Sequence, residues 1–383
     1  MNMQRAGYID IYLFIAVLAI MLFSVGLVYS ASSARFADTL LQQHTIRVVA
    51  GIIALMLGTL IDYHVYQRIS RYLMIGGVIL LALVLVPGLG VSYKGATRWL
   101  DLGIEFQPSE YVKYALAIHI SALLAQKQEY IRDFKNGVLP ILLWSIIVAA
   151  LIFRQPNFST GTILLMFTLI MLFVGRTDLR HLAGIVFAGV PVLIALMLTG
   201  GYRKARLMSF LGLSDGSQLV EKARYQIEQA VIAFGSGGLW GVGMGQSQQK
   251  EFFLPEPTGD FIFAIAGEEY GFIGVTLILA VFILILFRGL KIARQAPDDF
   301  GRYLAFGITT MISMFAVVNV VVTSGLAPTT GLPMPFISYG GTAILFNAFA
   351  VGILLNISMF TRIRPRKHIA AEPDSLQAGT VMK

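Results

Sequence analysis

The chain has 383 residues, 56% of them hydrophobic and only 13% charged, with no cysteine. Apolar runs near the ~20 residues needed to cross a bilayer recur along it, which excludes an ordinary water-soluble domain; the lack of cysteine excludes disulfides and thiol ligands or nucleophiles. The net charge of +8 does not mark a nucleic-acid partner, because Lys and Arg sit in short blocks between apolar runs, as charges facing cytoplasm and anionic membrane lipids do.

Backbone polar groups in lipid need partners within the chain, and these runs are too long and continuous for tilted barrel strands, so the expected fold is an all-α polytopic membrane protein. Ten spans are predicted, near 10–31, 46–61, 72–87, 108–125, 138–153, 160–175, 181–200, 261–287, 303–325 and 339–360. The first run, Ile9 to Ala31, is long enough to span and no convincing cleavage site follows it, which argues against a removed signal peptide. An even number of spans puts both termini on one side. Seventeen Lys and Arg residues then share that side against five in short loops opposite, so both termini are expected in the cytoplasm. The six basic residues of one long outer loop are discounted by the same rule.

Three outer segments stand out. Val86 to Gln107 contains KGATRWLDLG and ends at Pro108, which suits a first helical turn; Trp99 in it reads as either an interfacial anchor or a site residue. A large loop, 201–260, separates the seventh and eighth spans. Within it Ile227, Ala230, Val231 and Phe234 recur at helical spacing, predicting an amphipathic helix on or in the membrane surface. Gly235 to Gly245, GSGGLWGVGMG, matches neither dinucleotide nor Walker patterns and reads as close-approach backbone, with a pyrophosphate cradle of freed amides as the minor alternative. Ala327 to Gly341, APTTGLPMPFISYGG, carries no charge; its prolines and glycines predict a folded non-helical connection that dips into the bilayer against protein.

Ionisable residues within the spans are few enough to weigh singly. Asp260 follows Pro255, Pro257 and Gly259 and precedes an apolar helical run, so a carboxylate stands where a polar loop meets an embedded helix. Its plain alternative is a helix N-cap worth about 1 kcal/mol. Glu268 and Glu269 fall two turns into that helix. Glu110 and Lys113 share one face of the fourth span and read as a site pair or as an orienting ion pair. His119, Asn319 and Asn347 read as packing and interhelical hydrogen-bonding residues. No zinc or serine hydrolase motif and no histidine cluster of metal spacing occurs, so no metal ligands are assigned.

Six separated motifs, in order, resemble one family, the SEDS proteins (shape, elongation, division and sporulation), which include FtsW and RodA. They are YSASS at Tyr29 to Ser33, KGATRWLDLG at Lys94 to Gly103, FQPSEYVK at Phe106 to Lys113, RQPNFSTGT at Arg154 to Thr162, FLPEPTGDFIFAIAGEEYGFIG at Phe253 to Gly274, and GLPMPFISYGG at Gly331 to Gly341. The resemblance runs from about Ile9 to Arg362 and implies one transmembrane domain over 1–366 with a polar cytoplasmic tail, 367–383. It also implies a peptidoglycan glycosyltransferase that polymerises lipid II for septal or lateral wall synthesis in the inner membrane. The implied partner is a class B penicillin-binding protein, with other divisome or elongasome proteins around it.

Carried over motif by motif, the resemblance puts the essential acid on Asp260. Glu110 and Lys113 match a polar pair in the family's cavity and Arg98 and Trp99 its first outer loop; Glu268 and Ser338 join them as expected substrate contacts. One departure is Asn157, where the family usually carries aspartate. AIAGEE after Asp260 is nearer to the FtsW branch than to RodA. The chemistry then expected is Asp260 acting as general base, with the leaving pyrophosphate stabilised by Lys113, Arg98, Arg203, Lys204 or Arg206, or by a divalent cation such as Mg or Mn. A lipid II flippase and a noncatalytic division scaffold are the competing readings.

Overall fold

The structure, a computed structural model, describes residues 8–32, 37–93, 96–101, 103, 105–214, 216–255 and 257–361. Lys94 and the 367–383 tail lie outside the described residues. Thirteen α-helices follow in order among them: α1 Ile11–Ala31, α2 Ala37–Leu60, α3 Tyr63–Val84, α4 Pro108–Gln126, α5 Leu139–Arg154, α6 Phe158–Val174, α7 Leu179–Thr199, α8 Gly201–Phe210, α9 Gln218–Gly237, α10 Gln249–Phe252, α11 Ile262–Gln295, α12 Asp299–Thr323 and α13 Ala343–Phe360.

Seven of them (α1, α2, α3, α7, α11, α12 and α13), and α5 together with the π-helical turn Phe134–Val138 that leads into it, are long and apolar enough to cross a membrane, while α6 is apolar but shorter. Helix α4 has the length but opens with Glu110 and Lys113. Several helices start where a short acceptor side chain captures a free amide: Asp10 accepts from Leu13 N, and Asp298 from Gly301 N. Pro108 opens α4, where its missing N–H costs nothing.

Contacts at the helix ends fix which elements share a face of the bundle. Asp10 N donates to Ser358 Oγ at 3.0 Å, Arg288 Nε to Asp10 Oδ2 at 2.9 Å, and Tyr63 N to Asn356 Oδ1 at 3.0 Å. The start of α1, the α2–α3 joint and the ends of α11 and α13 therefore meet at one end, as an even number of crossings requires. The opposite end carries the first outer segment, the large loop and the 327–341 connection. There a small antiparallel sheet, β1 Gly90–Tyr93, β2 Ala96–Asp101 and β3 Glu105–Phe106, folds the first outer segment, with Val91 opposite Trp99. The sheet is an addition to a helical fold; its strands are too short for the sequence to announce them against the surrounding helices.

The large loop is mostly ordered helix. Its amphipathic stretch lies in α9, whose buried positions include Ala230 and Ala233. Residues 327–341 are non-helical as expected, and Leu332, Met334, Phe336 and Ile337 are buried. They sit against protein, the condition on which irregular backbone is tolerated at such depth.

Helix α11 is broken at Gly271, whose φ of 64° and ψ of −165° no ordinary helical residue adopts. The glycine-rich run fills the break. Val242 N donates to the Glu268 carbonyl at 2.9 Å, Gly243 N to that of Glu269 at 3.1 Å, and Phe272 N to that of Gly238 at 2.9 Å. The glycines thus permit close approach of two backbones. Amides that a pyrophosphate would need are consumed by the chain, which removes the cradle reading. A Cβ on Gly241 (φ 85°) would overlap the Glu269 carbonyl. Gly241→Ala is accordingly expected to destabilise by about 2 kcal/mol or more, read as a lower unfolding temperature in detergent. Gly235→Ala, with open space around its Cβ inside α9, is expected to be neutral or stabilising by up to about 1 kcal/mol.

Candidate functional site

Asp260 lies in the turn 257–261 that leads into α11. The N-cap position of that helix is Phe261, so Asp260 stands one residue outside it. Its carboxylate lies beside the buried outer segment at Gly331. A Cβ built on Gly331 would lie 3.3 Å from Asp260 Oδ2 and 3.7 and 3.9 Å from the terminal nitrogens of Arg206. Acid and guanidinium converge over one glycine. Its φ of 73° and this convergence both require that no side chain stand there.

Helix α8 supplies Arg206, which donates from Nη1 to the Thr329 carbonyl at 2.9 Å and from Nη2 to the Tyr202 hydroxyl, and lies 4.2 Å over the Tyr202 ring. Arg98 reaches in from β2. It donates from Nε to the Gln155 carbonyl at 3.4 Å and from Nη2 to that of Pro156, which docks the sheet on the α5–α6 joint. Burial and the neighbouring Arg206 cation hold the Arg98 guanidinium below its ordinary pKa, while Asp260 and Tyr202 push it back up. Arginine stays charged through such shifts, so two cations and one carboxylate share this end of the bundle.

Asn319 of α12 ties the parts together. Its Nδ2 donates at 2.8 Å to the Asp260 carbonyl and at 2.8 Å to the Leu332 carbonyl. One amide thereby ties the Asp260 turn to the buried segment, alongside the bond from Tyr339 N to the Thr258 carbonyl at 2.8 Å. One turn deeper on α12, about 6 Å along the axis, Phe315 lies under the Lys113 ammonium at 4.6 Å. Lys113 donates to Glu110 Oε2 at 2.6 Å, and both side chains are almost fully buried. The pair therefore forms a floor beneath the Asp260 level.

Other expected site residues serve the scaffold. Glu268 accepts from Ser247 Oγ and from Gln248 N and Gln249 N at 3.2 and 3.3 Å, so both carboxylate oxygens hold the outer loop. Glu269 does the same, accepting from Ser30 Oγ at 2.6 Å and Gly245 N at 3.1 Å, with Lys250 Nζ at 3.6 Å. Ser338 is buried and accepts from Met334 N at 2.7 Å, closing the turn it belongs to. Trp99 is half-buried on β2. Asn157 occupies the N-cap position of α6 without making a cap bond.

Asn347 accepts from the Tyr114 hydroxyl at 2.7 Å, the interhelical bond its type suggests, and His119 packs edge-on against Trp144. Tyr202 carried no signal that sequence could single out, and Gly331 opened a motif without a role of its own being assigned to it. Among the described residues no group of three or more His, Cys, Asp or Glu side chains is placed to hold a metal ion.

Such a fold and site define a multi-pass helical membrane protein with an acid–guanidinium centre at one end of its bundle. Residues 7–363 match the family described as cell cycle protein, FtsW/RodA/SpoVE. The chain is 39% identical over 368 residues to the probable peptidoglycan glycosyltransferase FtsW of Trichlorobacter lovleyi, covering 94% of this chain and 96% of that one. It is 37% identical to stage V sporulation protein E of Bacillus subtilis, covering 91% and 97%. Among solved structures it resembles a peptidoglycan synthase complex that coordinates polymerization and crosslinking (TM-score 0.74, 25% identity, 91% of this chain and 97% of that one). It also resembles a mutant form of rod shape determining protein RodA of Thermus thermophilus (TM-score 0.69, 25% identity, 92% and 98%). The chain belongs to the FtsW/RodA/SpoVE family.

The buried pair gives a stability test. Glu110→Ala leaves the Lys113 ammonium buried without its partner and is expected to cost roughly 3–5 kcal/mol, whereas Glu110→Leu with Lys113→Met is expected to cost much less, both read by thermal unfolding in detergent.

Proposed function

We propose that this protein is a peptidoglycan glycosyltransferase that polymerises lipid II at the outer face of the cytoplasmic membrane, its termini in the cytoplasm. The names of its relatives support the activity, and the observation that carries the mechanism is the convergence of Asp260 and Arg206 over Gly331. Lipid II keeps its prenyl tail in the bilayer and its sugars outside, which suits a polar site at the irregular end of a helical bundle.

In this reading the Asp260 carboxylate takes the proton of the acceptor 4-hydroxyl as that oxygen bonds to the anomeric carbon of the donor. The bond from that carbon to the pyrophosphate oxygen breaks with its electron pair, releasing undecaprenyl pyrophosphate. Arg206 and Arg98 supply the positive charge toward which the leaving group develops its negative charge. Lys113 is less suited, since its ammonium is committed to Glu110. One carboxylate beside a guanidinium is a poor cradle for a divalent cation, whose hard-oxygen sites need several oxygen ligands, so no step is routed through a metal.

A class B penicillin-binding protein that crosslinks the product is the proposed partner; a solved structural neighbour is itself a synthase complex coordinating the two activities. The FtsW name shared by relatives favours service at division over elongation. General-base assistance is worth about 10²- to 10⁴-fold, so Asp260→Asn is expected to lower glycan formation from purified lipid II by that factor while leaving the unfolding temperature near wild type. Polymer at wild-type rates from this variant would refute the base role. Lipid II translocation by wild type without any polymer would put the flippase reading in its place.

A further inference from the structure

Beneath Asp260 the chain keeps polar atoms that it does not itself satisfy. Asn319 is 1% exposed, and because its two donors face the carbonyls of Asp260 and Leu332, chemistry fixes which way the amide is turned. Its Oδ1 is then left as a buried acceptor with no partner in the chain. The hydroxyls of Thr329 and Thr330 are also buried and partnerless, although the carbonyls of the same residues accept from Arg206 and from Ser159 Oγ at 3.1 Å. Arg206 Nε is a fourth such atom. Of the sixteen partnerless buried side-chain atoms among the described residues, three thus belong to residues hydrogen-bonded to one another or to the Asp260 turn, and a fourth belongs to Thr330, the chain neighbour of Thr329. Each costs about 1–3 kcal/mol when left unpaired, so their concentration beside the reacting carboxylate calls for an occupant.

The donor and acceptor pattern selects that occupant. Asn319 Oδ1 accepts only, Arg206 Nε donates only, and the two hydroxyls do either. A phosphate would bring only acceptors to Oδ1 and to the nearby carboxylate, and a metal ion would meet a guanidinium N–H. A secondary amide satisfies both ends, its N–H toward Oδ1 and its carbonyl toward Nε or a threonine hydroxyl. We infer that Asn319, Thr329, Thr330 and Arg206 form a subsite recognising the acetamido group of the N-acetylglucosamine whose 4-hydroxyl faces Asp260. This assignment rests on the polymerase reading above and adds to it the feature by which the acceptor sugar is oriented.

Thr329→Val and Thr330→Val remove the hydroxyls while keeping the β-branched shape. The test is steady-state polymerisation by the full chain with its transpeptidase partner, using lipid II and lipid II lacking the acetyl group on N-acetylglucosamine, alongside thermal unfolding. Wild type is expected to prefer the acetylated substrate. Each variant is expected to raise KM for it about 3- to 10-fold with kcat little changed, the effect of losing one neutral hydrogen bond, and to lose much of the preference. The unfolding temperature should stay level or rise, since a partnerless buried hydroxyl has been removed. KM and preference within twofold of wild type in both variants would overturn the subsite, as would lower activity accompanied by a lower unfolding temperature, which marks a structural hydroxyl. Should wild type form no polymer, that failure belongs to the polymerase reading. Saturation-transfer NMR with soluble N-acetylated and de-N-acetylated glucosamine disaccharides then decides the subsite, equal binding of the two overturning it.

Discussion

Irregular backbone inside a membrane protein must find hydrogen-bond donors within the chain, and the amide of Asn319 is where this one meets that demand. It is nearly inaccessible to solvent, and it bonds two carbonyls from segments that are far apart in sequence, the Asp260 turn and the 327–341 connection. Tyr339 N adds a second tie between the same segments, donating to the Thr258 carbonyl at 2.8 Å. Together with the bond from Arg206 to the Thr329 carbonyl, these ties bring the Asp260 carboxylate and Arg206 together over Gly331.

The break in α11 answers the same constraint in another way. Gly271 frees carbonyls and amides in the middle of a helix, and a glycine-rich strand of backbone, lying where side chains would collide, takes them up. Glu268 and Glu269 stand on the buried side of the break, and their carboxylates accept from the outer loop. Three acids within ten residues therefore divide into one that lies beside Arg206 and two that hold the loop.

Charge is distributed with the same economy. Cations at the irregular end are oriented by backbone carbonyls, Arg98 by Gln155 and Pro156 and Arg206 by Thr329, and both lie within the field of the Asp260 carboxylate. The deeper Lys113 is paired with Glu110 and lies over an aromatic ring, where an isolated charge would be untenable.

Much of the architecture was legible in the chain itself. Long apolar runs dictate a helical bundle, because lipid offers backbone groups no other partner, and Asp260 stood out because a carboxylate at a helix–loop junction in a membrane is costly. The uncharged, proline-rich stretch 327–341 announced a buried loop for the same reason. What the chain could not display was pairing across distance. Glu268 and Asp260 look alike in sequence, and only packing shows that one is consumed by loop amides while the other faces Arg206. Ser338 likewise closes its own turn, and Asn319, which reads as ordinary interhelical glue, proves to hold loop backbone instead. Periodicity and polarity record how each segment meets its solvent, so sequence determined the helical membrane class and singled out Asp260 as a costly charge; which donor meets which acceptor depends on three-dimensional proximity, which only the tertiary structure decided.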